Sequence, residues 1–249
     1  MIVLKSHKEI ELMRKAGKVT AEALAAGGEA VKPGVTTACI DDIIEKYIKS
    51  KGGKPSFKGY GGFPGSACIS INDKVIHGIP SHETVIADGD IVSIDVGAYV
   101  NGFHGDSAAT FAAGNISPEA RKLIDVTRQC FYEGLAFATL GNRLGDIGAA
   151  ISDYAHKNGF SVVYDYVGHG VGAHLHEEPS VPNYGVRGKG VRLQKGMTIA
   201  IEPMINEGVP DIKVLKDGWT VITKDGKLSA HYEHTIAITD GEPLILTSL

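Results

Sequence analysis

The sequence predicts an α+β fold made of two related halves, on three observations. Helical and β-branched stretches fall in blocks, the block order of two helices followed by strands occurs twice, and an octapeptide in one strand block aligns with one in the other. Ser6 followed by Glu9 is a capping box, and Ile10, Met13, Gly17, Ala21 and Leu24 then recur at helical spacing until Gly27-Gly28, which is expected to stop the run. Thr36 or Thr37 caps a second helix, whose Ile40, Ile43, Ile44, Tyr47 and Ile48 form an apolar stripe opposite Asp41, Asp42, Glu45 and Lys46, and Gly52-Gly53 ends it. A third starts at Ser117-Pro118-Glu119, with proline at the first helical position, and runs to about residue 139. A fourth covers about 146–158 and is closed by Gly159. Between the helix pairs the period changes: Val85-Ile86, 91–96, 198–201, 220–223 and 235–239 are β-branched stretches separated by Gly-rich turns, and are expected to be strands.

The repeat can be followed residue by residue. Asp88-Gly89-Asp90-Ile91-Val92-Ser93-Ile94-Asp95 lies over Lys195-Gly196-Met197-Thr198-Ile199-Ala200-Ile201-Glu202, so both copies end on a carboxylate. His77-Gly78-Ile79-Pro80 precedes Asp95 as His169-Gly170-Val171-Gly172 precedes Glu202, and Asp106 and Glu233 follow as second acids. No Pro- or Ser-rich linker separates the halves, about 1–115 and 116–249, so one domain spanning 1–249 with a central cleft is expected.

Composition narrows the function. The chain has 249 residues, and its 25 Lys plus Arg against 29 Asp plus Glu give a net charge of -4, which argues against a protein built to neutralise nucleic-acid phosphates. No apolar run approaches the roughly 20 residues of a membrane span, and the N-terminus lacks a charged leader and cleavage site, so a cytoplasmic protein is expected. Cys39, Cys68 and Cys130 are odd in number and widely spaced, without a C-x-x-C pair. They are expected to be buried small apolar residues rather than a disulfide framework or thiolate zinc site.

Asp95 within Ile91-Val92-Ser93-Ile94-Asp95-Val96 is out of place, because a buried strand pays heavily for an unpaired carboxylate. Glu202 after Ile199-Ala200-Ile201 repeats the anomaly, and Asp106 and Glu233 add two more acids in matching positions. Gathered in one cleft, the four would repel one another. No lysine or arginine lies within 91–96, 102–110, 199–202 or 230–235, the segments that carry the four acids, so the compensating charge is expected to be metal, and charge balance favours two divalent ions over one. His169, between glycines in Gly168-His169-Gly170, is the natural fifth ligand. Carboxylate-rich ligation with one imidazole suits Mn, Fe, Co or Zn. His176 and His77 are candidates for groups that donate to a substrate, and His174 is assigned no role.

Taken together, these motifs resemble the methionine aminopeptidases in their short bacterial type I form, over nearly the whole chain. The segments concerned are Ile71-Asn72 with His77-Gly78-Ile79-Pro80, Ile94-Asp95-Val96-Gly97, Gly102 through Asp106, Gly168-His169-Gly170, His176-Glu177-Glu178-Pro179, Ile201-Glu202-Pro203-Met204, Asp217-Gly218-Trp219-Thr220 and Tyr232-Glu233-His234-Thr235. The resemblance implies the pseudo-twofold "pita-bread" fold, a curved antiparallel sheet with two helix pairs on its outer face. It implies Asp95 on one metal, Asp106 and Glu233 bridging two, and His169 with Glu202 on the other. It also implies Glu202 as proton acceptor, His176 hydrogen-bonded to the oxyanion and His77 at the scissile amide. A methionine pocket of Phe57, Tyr60, Phe63, Leu175 and Trp219 is implied, with Cys68 near it, although the family varies where Phe57 and Leu175 fall. Asn72 and Ser229 match positions that help hold a monovalent cation, Na or K.

The implied activity is removal of the N-terminal methionine from nascent chains beginning Met-Ala, Met-Gly or Met-Ser, by a monomer with at most transient ribosome contact and no membrane or specific nucleic-acid partner. No N-terminal zinc-finger or ribosome-docking extension is read, and the stretch between Glu202 and Glu233 has no room for the helical insertion of the type II relatives. The rival expectations are a prolidase or Xaa-Pro aminopeptidase of the same fold, which usually carries a preceding domain, and a non-catalytic protein- or RNA-binding relative. The second is disfavoured because all five ligand positions are filled.

Overall fold

Ser6 does cap the first helix. In the computed structural model, which describes residues 1–249, its hydroxyl accepts the Glu9 amide while the Glu9 carboxylate accepts the Ser6 amide at 2.8 Å. Helix α1 spans His7–Glu29 and so continues through Gly27-Gly28. These glycines mark close packing rather than an end: a β-carbon on Gly27 would lie 2.7 Å from Ile44 Cδ1, and one on Gly28 2.8 Å from Phe111 Cδ1. Helix α2, Thr37–Ser50, is capped by the Thr36 hydroxyl at 3.3 Å from the Cys39 amide. Cys39 itself is exposed on the outer face of the first turn, unlike buried Cys68 and Cys130, and all three are free thiols.

The strands of the first half are β1 (Lys54–Pro55), β2 (Ala67–Ile71), β3 (Lys74–Ile76), β4 (Ile91–Val100) and β5 (Phe103–Ala112), with a short 3-10 turn at Tyr60–Gly62. Val85-Ile86 is not among them: Val85 forms only an isolated bridge to Thr36, so the segment straps the start of α2 instead of joining a sheet. Strands β4 and β5 make a ten-pair hairpin around Asn101 and Gly102, both at positive φ, the conformation a two-residue hairpin loop requires.

Helix α3, Pro118–Leu135, is capped by Ser117, whose hydroxyl accepts the Ala120 amide at 3.0 Å. It ends at Leu135, before residue 139, in tightened turns in which the Phe137 and Ala138 amides donate to the Gly134 and Leu135 carbonyls at 3.0 and 2.9 Å. Helix α4, Leu144–Lys157, begins two residues before Asp146, whose carboxylate accepts the Arg143 amide at 2.8 Å. The remaining strands are β6 (Ser161–Val162), β7 (Gly168–Gly170), β8 (Glu177–Val181), β9 (Thr198–Ile201), β10 (Met204–Asn206), β11 (Ile212–Val214), β12 (Val221–Thr223), β13 (Ser229–His231), β14 (Glu233–Ala237) and β15 (Leu244–Ile245).

The main sheet runs β1-β4-β5-β14-β9-β7-β8, antiparallel throughout, with β2 also on β4 and β15 also on β14. Its centre is thus two strands from each half, with β5 against β14 in the middle. Two small sheets, β13-β10-β6 and β11-β12-β3, complete the fold. The apolar stripe of α2 (Ile40, Ile44, Ile48) packs in one core with Ile69, Ile94 and Val96 of β2 and β4. Leu123 and Phe131 of α3 and Ile147 and Ile151 of α4 pack in a second with Ile199, Ile201 and Ile236. Each fully buried aliphatic side chain contributes roughly 1.5–3 kcal/mol. This is the pseudo-twofold pita-bread arrangement. No helix is long and apolar enough to cross a membrane.

Helix α1 reaches the sheet at Gly17, where a β-carbon on Gly105 would lie 2.8 Å from the Gly17 α-carbon and one on Gly17 would lie 2.6 Å from the Leu246 carbonyl carbon. The neighbour there is backbone and cannot rotate away. Gly17→Ala, which would favour an isolated helix, is therefore expected to destabilise the protein by about 1–3 kcal/mol through overpacking. By calorimetry that is a fall in Tm of about 2–4 °C for each kcal/mol; an unchanged or higher Tm would show that the contact yields.

Candidate metal centre and active site

The register of the central strands draws the acids together. Asp95 on β4 faces Ala108 on β5, and Ala108 in turn faces Glu233 on β14. His234 faces Ile201, so the same register continued by one residue sets Glu202, just past β9, beside Glu233. Asp95, Glu233 and Glu202 therefore form one row across the sheet, with small Ala108 leaving space within it. Asp106, opposite Gly97, lies two residues from Ala108 on the same face. Small residues at 97 and 108 keep this face of the sheet open to carboxylates, while Gly105, on the opposite face, admits helix α1.

His169, on β7, comes down on the row from the other side. Its Nε2 lies 3.7 Å from Asp106 Oδ2 and 3.6 Å from Glu202 Oε1. One ligand atom each from Asp106, His169 and Glu233 fall within 4.8 Å of one another. All five sequence-predicted ligands, together with His77, His176, Phe57, Tyr60, Phe63, Cys68, Leu175 and Trp219, line a single cavity of about 370 Å³. No lysine or arginine is among its lining residues.

Electrostatics make this arrangement unfavourable for the protein alone. Burial pushes the Asp95 carboxyl up to about 7. Asp106 and Glu233 are raised well above the ordinary carboxylate range by burial and then by neighbouring acids, as is Glu202 by burial and then Asp95. Asp95 Oδ1, Asp106 Oδ1 and Glu233 Oε1 are buried without a hydrogen-bond partner. Burial, with His176 nearby, lowers His169 to about 3, so its ring is neutral. His169 Nδ1 lies 2.8 Å from the Gly170 carbonyl, which can only accept, so Nδ1 carries the proton and Nε2 turns a lone pair towards two carboxylates. Lone pair facing anion is repulsive unless a cation stands between them. The donor set of carboxylate oxygens and one imidazole nitrogen fits divalent transition-metal ions.

The groups around the ligands differ in how firmly they are held. His77 sits at φ 58, a conformation uncommon for a non-glycine residue, and its ring meets Tyr166 and Trp219 edge-on. Burial and His176 lower it to about 4. His176 is at the cavity rim, with Nδ1 2.8 Å from the Tyr60 hydroxyl and its ring centroid 4.1 Å from that of His169. Phe57, Phe63, Cys68 and Leu175 form a buried apolar cluster, against which Trp219 packs, while Tyr60 is exposed at the mouth. Cys68 faces Asp95 across β2 and β4, and burial raises its thiol well above the usual range. Asn72 and Ser229 do meet, since the Ser229 amide donates to the Asn72 carbonyl at 2.9 Å. They lie off the cavity, and their side chains are engaged by Asp90 and Asn206.

Residues the sequence did not single out also line the cavity, among them Ile76, Tyr166, Val167 and Ser180. Neither Tyr166 nor Ser180 carries a local signal: Ser180 lies on β8, whereas His176 is in the bend before it. His231, two residues before Glu233, is buried with Nε2 unpartnered and 3.7 Å from Glu202 Oε2. His174 is exposed and absent from the lining.

The chain is similar to known proteins over nearly its whole length. The family description "Metallopeptidase family M24" matches residues 11–240. A methionine aminopeptidase of Clostridium perfringens is 56% identical over 248 residues, and one of Clostridium acetobutylicum is 54% identical over 247, each alignment covering 99% of both chains. The crystal structure of a methionine aminopeptidase from Thermotoga maritima superposes with a TM-score of 0.98 at 45% identity, covering 100% of both chains. With a family match over most of its length and relatives this close, the chain belongs to metallopeptidase family M24 and, within it, to the methionine aminopeptidases.

Proposed function

We propose that this chain removes the N-terminal methionine from nascent polypeptides and peptides with a small second residue, such as Met-Ala, Met-Gly and Met-Ser. The observation that carries this is the uncompensated cluster of acids, three of whose oxygens are buried without a partner, with the lone pair of His169 aimed at it, opening directly onto an apolar pocket. Asp95 would hold one divalent ion, His169 with Glu202 a second, and Asp106 and Glu233 both, the ions being Co, Mn, Fe or Zn. Bound there, such ions acidify a water and polarise the scissile carbonyl.

The chain's own groups do the rest. Glu202, reached from the cavity, accepts a proton from the attacking water. If Tyr60 donates its O–H to Nδ1 of His176, Nε2–H of that ring is left to donate to the carbonyl oxygen as charge develops on it. His77, held rigidly by its turn and two aromatic edges, contacts the scissile amide. The substrate's free amine binds beside Asp95, which limits cleavage to the first residue because an internal peptide bond has no amine to present. Phe57, Phe63, Cys68, Leu175 and Trp219, with Tyr60 at the mouth, take the flexible thioether. A monovalent cation at Asn72 and Ser229 would rely on backbone carbonyls, since their side chains are committed. The chain acts as a monomeric single domain of two halves, about 1–115 and 116–249, in the cytoplasm with at most transient ribosome contact.

The test is release of the first residue from Met-Ala-Ser, Met-Ile-Ser and Ala-Pro peptides. Exhaustive chelation is expected to abolish release from Met-Ala-Ser and added Mn, Fe or Co to restore it, with Met-Ile-Ser cut poorly because its second residue is bulky. Faster release from Ala-Pro than from Met-Ala-Ser would favour a proline-directed peptidase, and turnover indifferent to chelation would contradict the metal assignment.

A further inference from the structure

Strand β14 changes partner at Thr235. Before it, Glu233 faces Ala108 and His234 faces Ser107 on β5; after it, Ile236 and Ala237 pair with Ile245 and Leu244 on β15. At the fork the C-terminal segment takes the backbone of Thr235, whose amide donates to the Thr247 hydroxyl at 3.2 Å and whose carbonyl accepts the Leu246 amide at 2.9 Å. The β5–β14 register, continued by one residue, brings Asp106 opposite Thr235. Asp106 therefore turns its amide and carbonyl towards a strand whose backbone is already occupied.

The Thr235 side chain closes that gap. Its hydroxyl accepts the Asp106 amide at 3.0 Å and donates to the Asp106 carbonyl at 2.8 Å. Thr235 is 0% and Asp106 3% exposed, so water cannot replace it. One hydroxyl thus satisfies both backbone polar groups of the acid that faces His169. The same device closes the other end of the two-pair ladder, where the Thr110 hydroxyl bonds the amide and carbonyl of His231, each at 2.9 Å.

We propose that Thr235 is a positioning residue of the metal centre: its hydroxyl fixes the backbone, and through it the carboxylate direction, of Asp106 at a point where the sheet itself has let go. This rests on Asp106 being a metal ligand, as set out above. Without the hydroxyl, the Asp106 peptide groups must find new partners, and strand β5 shifts away from the geometry its carboxylate needs.

The experiment uses the full chain stripped of metal. Mn(II) is titrated calorimetrically into wild type, Thr235→Val and Thr235→Ser, and amide hydrogen exchange of Asp106 is followed by NMR in the same metal-free samples. Thr235→Val is expected to bind Mn(II) about 10- to 100-fold more weakly, the range for loss of a group that orients a ligand. The Asp106 amide should also lose its protection from exchange. Thr235→Ser keeps the hydroxyl and is expected to retain both affinity and protection. A folded Thr235→Val with wild-type affinity, or with an Asp106 amide still protected, would overturn the inference. Should Thr235→Val not fold, Thr235→Ala, which also lacks the hydroxyl and adds no bulk, is judged by the same two results. Wild-type protein that takes up no Mn(II) would refute the metal assignment and this inference with it, whereas equal binding by wild type and the Val variant refutes this inference alone.

Discussion

Glu202→Gln is expected to lower kcat on Met-Ala-Ser by about 100- to 10,000-fold, the range for losing a positioned proton acceptor. Glutamine keeps the shape and one carbonyl oxygen for ligation but cannot take a proton. Of the acids facing His169, Glu202 has the more accessible side chain, 13% exposed against 4% for Asp106, so a water in the cavity can approach it. Its backbone is anchored independently, the Asn183 side chain donating to its carbonyl at 2.9 Å, so the substitution leaves the chain path intact. The check is steady-state kinetics with metal content measured on the same samples. If the group acts only in the transition state, kcat and kcat/KM fall together. An unchanged kcat removes the proton-accepting role, and a loss that follows metal content alone reduces Glu202 to a ligand.

The helices were legible because their signals are local: Ser6 with Glu9, Thr36 and Ser117-Pro118 act within one turn, and the apolar stripe of α2 can be counted off directly. Their ends were less so. Gly27-Gly28 serves close packing against Ile44 and Phe111 rather than a stop, and α3 ends short of residue 139 in tightened turns, the Phe137 and Ala138 amides donating to the Gly134 and Leu135 carbonyls. Strand β5 escaped notice altogether. Phe103 through Ala112 is mostly small residues, with Thr110 its sole β-branched member, and it is extended because β4 pairs with it along ten residues and α1 needs Gly105 against Gly17.

The acids were legible for the opposite reason, since Asp95 and Glu202 end apolar strand runs where a carboxylate does not belong unless something compensates it. What spacing does not supply is the row they form, because this depends on the register of β4, β5, β14 and β9 and on Ala108 being small. Nor does it supply the fork at Thr235, which exists only once the C-terminal segment has come back to lie beside β14. Local violations of burial rules mark individual ligands; the scaffold that aims them is tertiary.

Removal of divalent metal is expected to leave a protein whose stability falls as the pH rises above neutrality, and restoring metal to reverse that trend. In the metal-free fold burial pushes Asp95 up to about 7 and raises Asp106, Glu202 and Glu233 well above carboxylates in an unfolded chain, which titrate at ~4. A raised acid binds more protons folded than unfolded. Its contribution is therefore fully present below ~4 and is lost as the pH climbs through the folded value. The histidines act in the other direction: His77, His169 and His231, lowered to about 4, 3 and 3, oppose folding only as the pH drops below the ~6.5 of free imidazole. Above pH ~6.5 these histidines are neutral in both states and add no slope, so the raised acids set its sign there. Metal binding needs these acids deprotonated, so the stabilisation it gives grows over the same interval. At about 1,000 times the dissociation constant, Mn(II) should contribute about 4 kcal/mol. For a chain of this size that is a rise in Tm of about 8–16 °C. Calorimetry from pH ~6.5 to ~8.5, with chelator or with Mn(II), should show the two Tm curves diverging as pH rises. A metal-free Tm that is flat or rises over that interval, or a Mn(II) shift independent of pH, would mean that the acids are not held together against their own charge.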